Sequence, residues 1–194
     1  MNKARQYLKL AGWMLRGRPA PPPHLVKQRM ILRQARRHNT SIMVETGTLF
    51  GDMVEAMKDH FDQLFSIEIS HELATKAQQR FAGNDKIRII ENDSAIALKS
   101  LVPEIQHPAL FWLDGHYSGG NTGKGEKDTP IMEELATIYA SDLDHIVLID
   151  DARLFGSDKD YPSVEELETF VRKLRPDVVI SSENDCISII PRLQ

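Results

Sequence analysis

With 194 residues, 41% hydrophobic and 27% charged, the chain is long enough to bury a core of its own and is expected to form one globular domain. No run approaches the roughly 18 apolar residues of a membrane span, and the N-terminus lacks the apolar stretch and small-residue cleavage site of a secretory signal, so a cytoplasmic location is expected. The formal net charge of −4 hides an asymmetry: residues 1–44 carry ten Lys/Arg and no acid, and the remainder 14 Lys/Arg against 28 Asp/Glu, so that +10 precedes −14.

Residues 1–40 read as a basic helical leader, not a domain in its own right, followed by a single domain over 41–194. The leader should hold two helices separated by Arg18-Pro19-Ala20-Pro21-Pro22-Pro23, a tract that cannot continue a helix and should run extended. In the first helix Ala4, Tyr7, Leu8, Ala11 and Leu15 recur at helical spacing, with Lys3, Arg5, Lys9 and Arg16 on the remaining surface and Trp13 near the boundary. Such a basic amphipathic helix can lie peripherally on an anionic membrane. Packing across the interface of a homo-oligomer is the reading that the usual fate of apolar stripes favours, the basic leader then pairing with the acidic body of its own or a second subunit.

From residue 42 onward, short apolar runs alternate with helical patterns. Strands are expected at Ile42–Glu45, Leu64–Ile69, Ile87–Glu91, Leu110–Leu113, Ile146–Ile149, Val178–Ser181 and Cys186–Ile190. Helices are expected at Phe50–Phe61, with Phe50, Met53, Met57 and Phe61 on one face, and at His71–Phe81, Ser94–Leu101, Pro130–Tyr139 and Val164–Leu174. Thr129-Pro130 offers an N-cap with proline at the first helical position, and Ser163-Val164-Glu165-Glu166 is a capping box. This alternation predicts an α/β fold: a doubly wound, mostly parallel seven-stranded sheet. The last two strands, joined only by Ser182-Glu183-Asn184-Asp185, should form an antiparallel C-terminal hairpin. The single cysteine, Cys186, excludes an intramolecular disulfide, and close to Ile187 and Ile189 it reads as a small buried hydrophobe in place of a nucleophile.

In such sheets ligands bind beyond the carboxyl ends of the strands. That rule selects Glu45, Thr46, Gly47, Thr48 and Gly51 after the first strand, Glu68 and Ser70 after the second, and Asp93 and Ser94 after the third. It also selects Asp114, His116 and Tyr117 after the fourth strand, and Asp150 and Asp151 after the fifth. Gly47 and Gly51 bracket a helix entry and let a ligand approach the backbone. A dinucleotide loop would carry three glycines, whereas this turn has Leu49 where another might stand and an acid, Glu45, that would repel phosphate but could hold a sulfonium or ammonium cation. Glu68 is suited to both ribose hydroxyls, and Asp93 with Ser94 to an adenine edge, while Ser94 serves equally as a helix N-cap.

Val44-Glu45-Thr46-Gly47-Thr48-Leu49-Phe50-Gly51, Ser66-Ile67-Glu68-Ile69-Ser70 and Glu91-Asn92-Asp93-Ser94 resemble, in order and spacing, the cofactor motifs of class I S-adenosylmethionine-dependent methyltransferases, whose sheet is Rossmann-like. Phe111-Trp112-Leu113-Asp114-Gly115-His116-Tyr117-Ser118 and Val147-Leu148-Ile149-Asp150-Asp151-Ala152 are similar to the metal-dependent macrocin-type O-methyltransferases. The resemblance covers roughly residues 42–190. It implies S-adenosylmethionine bound by Glu45, Thr46, Gly47, Thr48, Gly51, Glu68, Ser70, Asp93, Ser94 and Asp114. It further implies Mg²⁺ held by Asp114, Asp150 and Asp151, and O-methylation of a small molecule, a sugar or glycosylated compound. His116 is the candidate base, with Tyr117 its rival and Asp114 alongside; a histidine at this point suits the macrocin type, though the spacing differs, and the lysine of catechol-type relatives is missing. The glycine-rich run Ser118 to Gly125 suits a substrate lid, and Arg153 with Phe155 to Tyr161 could touch substrate. Two rivals stand beside this reading, a non-catalytic partner-binding module and an NAD(P)-dependent oxidoreductase. Confinement of the basic charge to the leader weighs against nucleic acid.

Overall fold

A computed structural model describes residues 3–115 and 129–192. Its strands are β1 (Ile42–Thr46), β2 (Gln63–Glu68), β3 (Ile87–Glu91), β4 (Leu110–Leu113), β5 (Ile146–Ile149), β6 (Val178–Glu183) and β7 (Cys186–Pro191). Its helices are α1 (Lys3–Leu15), α2 (His24–Arg37), α3 (Asp52–Met57), α4 (His71–Arg80), α5 (Ser94–Leu101), α6 (Ile131–Ile138) and α7 (Val164–Leu174). The seven strands form one sheet in the order β3-β2-β1-β4-β5-β7-β6, parallel except where β7 pairs antiparallel with β5 and β6. The order reverses between β1 and β4, so the crevice above these two strands is where this topology can admit a ligand.

Period-two alternation in the central strands sorts their side chains to two apolar layers. Val44, Phe111, Leu113, Val147 and Ile149 face the layer completed by Leu98 and Leu101 of α5, Leu135 and Ile138 of α6, and Leu167 and Val171 of α7. Met43, Leu110, Trp112, Ile146 and Leu148 face the opposite layer, completed by Met53, Val54 and Met57 of α3, Ala77 of α4, and Val26, Met30, Ile31 and Ala35 of α2. The second leader helix is therefore part of the cover of the sheet. Gln34 is the polar residue this helix buries outright, and of its Lys and Arg residues Lys27 alone is largely covered, at the end of β5.

Several local expectations are revised. The stripe in α1 is rotated: Leu10 and Trp13 are buried while Tyr7, Leu8 and Leu15 are exposed, Trp13 anchoring the turn by donating from Nε1 to the Pro19 carbonyl at 2.7 Å. Phe50 lies outside α3 and is 60% exposed, since the left-handed Gly51 starts the helix after it. Pro130 itself is the N-cap residue of α6, without a side-chain cap, in place of Thr129. The capping box at Ser163 and Glu166 is present with both bonds formed. The β6–β7 hairpin is tighter than its sequence linker, because β6 runs on to Glu183 and leaves Asn184 and Asp185, φ 51° and 61°, as a two-residue turn of the primed type. Cys186 is buried and unpaired with another cysteine.

Candidate functional site

The loop after β1 is built around Gly47. Its φ of +85° is one that an L side chain rarely adopts, and a Cβ there would stand 2.4 Å from the Asp114 carbonyl oxygen. Only glycine lets β1 leave the sheet so close to the end of β4. The loop stays tied to β2, with the Gly47 amide donating to the Ile67 carbonyl at 2.9 Å. Gly51 repeats the device at the start of α3, where a Cβ would meet the Phe81 ring at 2.7 Å.

Beneath this loop runs a buried polar chain. Ser66 Oγ donates to Glu45 Oε2 at 2.5 Å and lies 2.6 Å from Thr48 Oγ1. Glu45 is 2% exposed, and burial pushes its carboxyl up from 4.5 to about 8, against the pull of the Ser66 hydrogen bond and with the help of the Asp114 and Glu68 charges. The acid expected to attract a cation by its charge is thus neutral at pH 7 until something cationic comes near. Thr46 is wholly buried, and its Oγ1 has no hydrogen-bond partner among the described residues; it packs against Gly115, where a Cβ would stand 2.9 Å from that oxygen.

Glu68 ends β2 with its carboxylate shared between two backbone donors, the Leu49 amide at 2.8 Å on Oε2 and the Ser70 amide at 3.0 Å on Oε1. It clamps the β1 loop to the start of α4, whose N-cap is Ser70. Each carboxylate oxygen keeps a lone pair for a diol. Asp93, not Ser94, caps α5, accepting from the Ile96 amide at 3.3 Å, while Ser94 is buried. Two residues that sequence reasoning passed over lie here. Ile69 follows β2 and Ile96 sits in the first turn of α5, and both remain exposed, Ile96 by 56%, as apolar side chains at the edge beyond β2 and β3. Their signal in the sequence was an isoleucine directly after the strand-end acid and another breaking the polar opening of a helix.

The acidic end of β4 and β5 departs from expectation. Asp150 is 1% exposed and forms an ion pair with Lys27, from the first turn of α2; Lys27 Nζ is also 3.9 Å from Asp151 Oδ1. Burial lowers the Lys27 pKa, but the charge and hydrogen bond of Asp150, with the fields of Asp114 and Asp151, outweigh it and hold the ammonium above its ordinary value. Asp151, held at φ 56°, is bound by Arg153 Nη1 at 2.7 Å, and the same guanidinium pairs with Asp185 of the hairpin turn. Arg153 therefore braces the end of β5 to the β6–β7 turn. Among the described residues no three His, Cys, Asp or Glu side chains are grouped to hold a metal ion. The expected Mg²⁺ set of Asp114, Asp150 and Asp151 does not fit as found, because protein cations already pair with two of its members, Lys27 with Asp150 and Arg153 with Asp151. The residue responsible was hidden in the leader, with nothing in its local sequence to set it apart from nine other basic residues.

His116, Tyr117 and the expected lid from Ser118 to Gly125 lie outside the described residues. An open cleft is lined by Pro130 and Met132 at the start of α6, Tyr161 and Pro162, and Phe170 of α7. Phe155 packs edge-on against Tyr161 at 5.2 Å between ring centroids, so part of the loop expected to touch substrate is core.

The fold is that of known O-methyltransferases. An O-methyltransferase from Bacillus cereus in complex with SAH superposes with a TM-score of 0.63 at 12% identity, over 98% of this chain and 92% of that one. The O-methyltransferase TomG from Streptomyces achromogenes, involved in tomaymycin synthesis and in complex with SAM, gives 0.61 at 16% identity, over 99% and 91%. A putative O-methyltransferase from Klebsiella pneumoniae gives 0.58 at 18% identity, over 99% and 92%. No protein-family model and no curated protein matches the sequence. Among the described residues, no helix is long and apolar enough to cross a membrane.

Proposed function

We propose that this chain is an S-adenosylmethionine-dependent methyltransferase that methylates a hydroxyl of a small molecule, a sugar or glycosylated compound. The observation that carries the reading is the loop after β1, where Gly47, closed against Asp114, stands beside buried Glu45 and the Glu68 clamp at the switch point of the sheet. The bound cofactor would supply an electrophilic methyl group on a sulfonium sulfur. Glu68 would hold the ribose hydroxyls with its remaining lone pairs, and Asp93 would meet the adenine edge between Ile69 and Ile96. The neutral carboxyl of Glu45 suits a cationic ligand differently from a fixed anion, since ionising it releases a proton as the ligand binds. As the acceptor oxygen takes the methyl, its hydroxyl proton must leave; His116 is the residue assigned to receive it, with Tyr117 the rival and Asp114 close by in sequence. Asp150 and Asp151 are already paired with Lys27 and Arg153, which leaves the proton transfer to protein side chains.

Calorimetric titration with S-adenosylhomocysteine and, separately, with NADH tests the cofactor. Heat with the first is expected, and heat with NADH alone overturns the reading. Transfer of a labelled methyl group to a panel of sugars, glycosides and catechols then tests the acceptor. His116→Ala should lower turnover by about a hundredfold or more with S-adenosylhomocysteine affinity unchanged.

A further inference from the structure

The acidic corner formed by the ends of β4 and β5 already contains a cation, and it comes from the leader. Lys27 reaches Asp150 and approaches Asp151 to 3.9 Å, with Asp114 near enough for its charge to be felt. Asp150 is almost wholly buried, so its charge is matched inside the protein or not at all. Lys27 is itself largely covered and rides on a helix whose next turns bury Met30 and Ile31 against β4 and β5, which leaves it little freedom to withdraw. Arg153 attends to the other side of Asp151. A divalent ion entering here would have to displace an ammonium from Asp150 and then accept a neighbouring positive charge held by the fold.

We propose that Lys27 is the built-in cation of this site: its ammonium takes the place of a divalent metal at the carboxylates that follow β5, within the field of Asp114, and excludes metal from it. Lys27 is thereby a positioning residue, fixing the Asp150 and Asp151 carboxylates beside the methyl-transfer crevice. The role rests on the methyltransferase reading, but exclusion of metal can be measured without any turnover.

The test is binding of Mn²⁺, followed by electron paramagnetic resonance on the full chain with and without S-adenosylhomocysteine, for wild type, Lys27→Ala, Lys27→Gln and Lys27→Arg. Loss of the ammonium should tighten Mn²⁺ binding by about tenfold or more in Lys27→Ala, and Lys27→Arg should stay at the wild-type level, since the fixed charge is what repels the ion. Adding Asp150→Asn to Lys27→Ala should abolish the gain. If Lys27→Ala does not fold, Lys27→Gln, which can still donate to Asp150, carries the comparison. Wild type binding Mn²⁺ as tightly as the alanine or glutamine variant, whether both bind well or neither binds, overturns the proposal. Failure of wild type to bind S-adenosylhomocysteine would instead remove the methyltransferase reading and leave the metal comparison to be judged by itself.

Discussion

Substituting Glu45 by Gln replaces a buried carboxyl that can ionise with an amide of the same shape that cannot. Burial raises the folded-state pKa of Glu45 from 4.5 to about 8. Below the unfolded value both states keep the proton and the native state carries no penalty. As pH rises between the two values, the unfolded chain ionises and the native chain does not, so stability is lost; above about 8 the loss is complete. At about 1.4 kcal/mol per pH unit the full interval corresponds to roughly 5 kcal/mol, and allowing for water reaching the site a loss of roughly 3–5 kcal/mol is expected. That is a substantial share of the roughly 5–15 kcal/mol that holds a typical domain together. The assay is urea unfolding followed by the fluorescence of Trp13 and Trp112, at intervals from about pH 5 to about pH 9, for wild type and Glu45→Gln. The difference between the two curves should favour the glutamine variant increasingly as pH rises and level off above about pH 8. Curves that stay parallel within about 0.5 kcal/mol across this range would refute the assignment of a neutral, buried Glu45.

Gly47→Ala places a Cβ against the Asp114 carbonyl in a left-handed backbone, and should cost about 3 kcal/mol in unfolding free energy and abolish S-adenosylhomocysteine heat in calorimetry. Glu68→Gln keeps the shape but loses one acceptor, leaving the Leu49 or Ser70 amide unsatisfied; about 1–3 kcal/mol of stability and at least about tenfold in S-adenosylhomocysteine affinity should go, read by thermal melts and titration. His145, whose Nδ1 accepts from the Ala109 amide at 3.1 Å, is pushed by burial from 6.5 down to about 4. Its contribution is fully present above about pH 6.5 and lost as pH falls toward 4, so wild type should lose roughly 2–3 kcal/mol relative to His145→Gln over that interval, checked by urea unfolding.

The sheet was legible because its residues announce their own geometry. Ile146–Ile149 and Leu110–Leu113 are apolar on both faces, which only a central parallel strand requires, and their observed bounds match those read from sequence. That Glu45, Gly47, Gly51, Glu68 and Asp93 lie along one edge was legible because topology places anything just after a parallel strand there. What was missed depends on contacts between distant segments. Nothing around Ser66 shows that its hydroxyl will link Thr48 to Glu45, and α1 presents two plausible apolar faces of which packing chose the one with Leu10 and Trp13. Asp150 and Asp151 read as metal ligands because local sequence carries their charge but not the charge that answers it.

The pairing of Lys27 with Asp150 spans 123 positions of sequence, and it sets a schedule for making the protein. Helix α2 is synthesised early, yet the strands that receive Val26, Met30 and Ile31 include β4 and β5, which leave the ribosome long afterwards. Until then its apolar face has only β1, β2 and α3 to lie on and its lysine lacks the counterion it has in the finished fold. The docking of α2 is thus completed only when β5 is available, which ties the leader to the far half of the sheet.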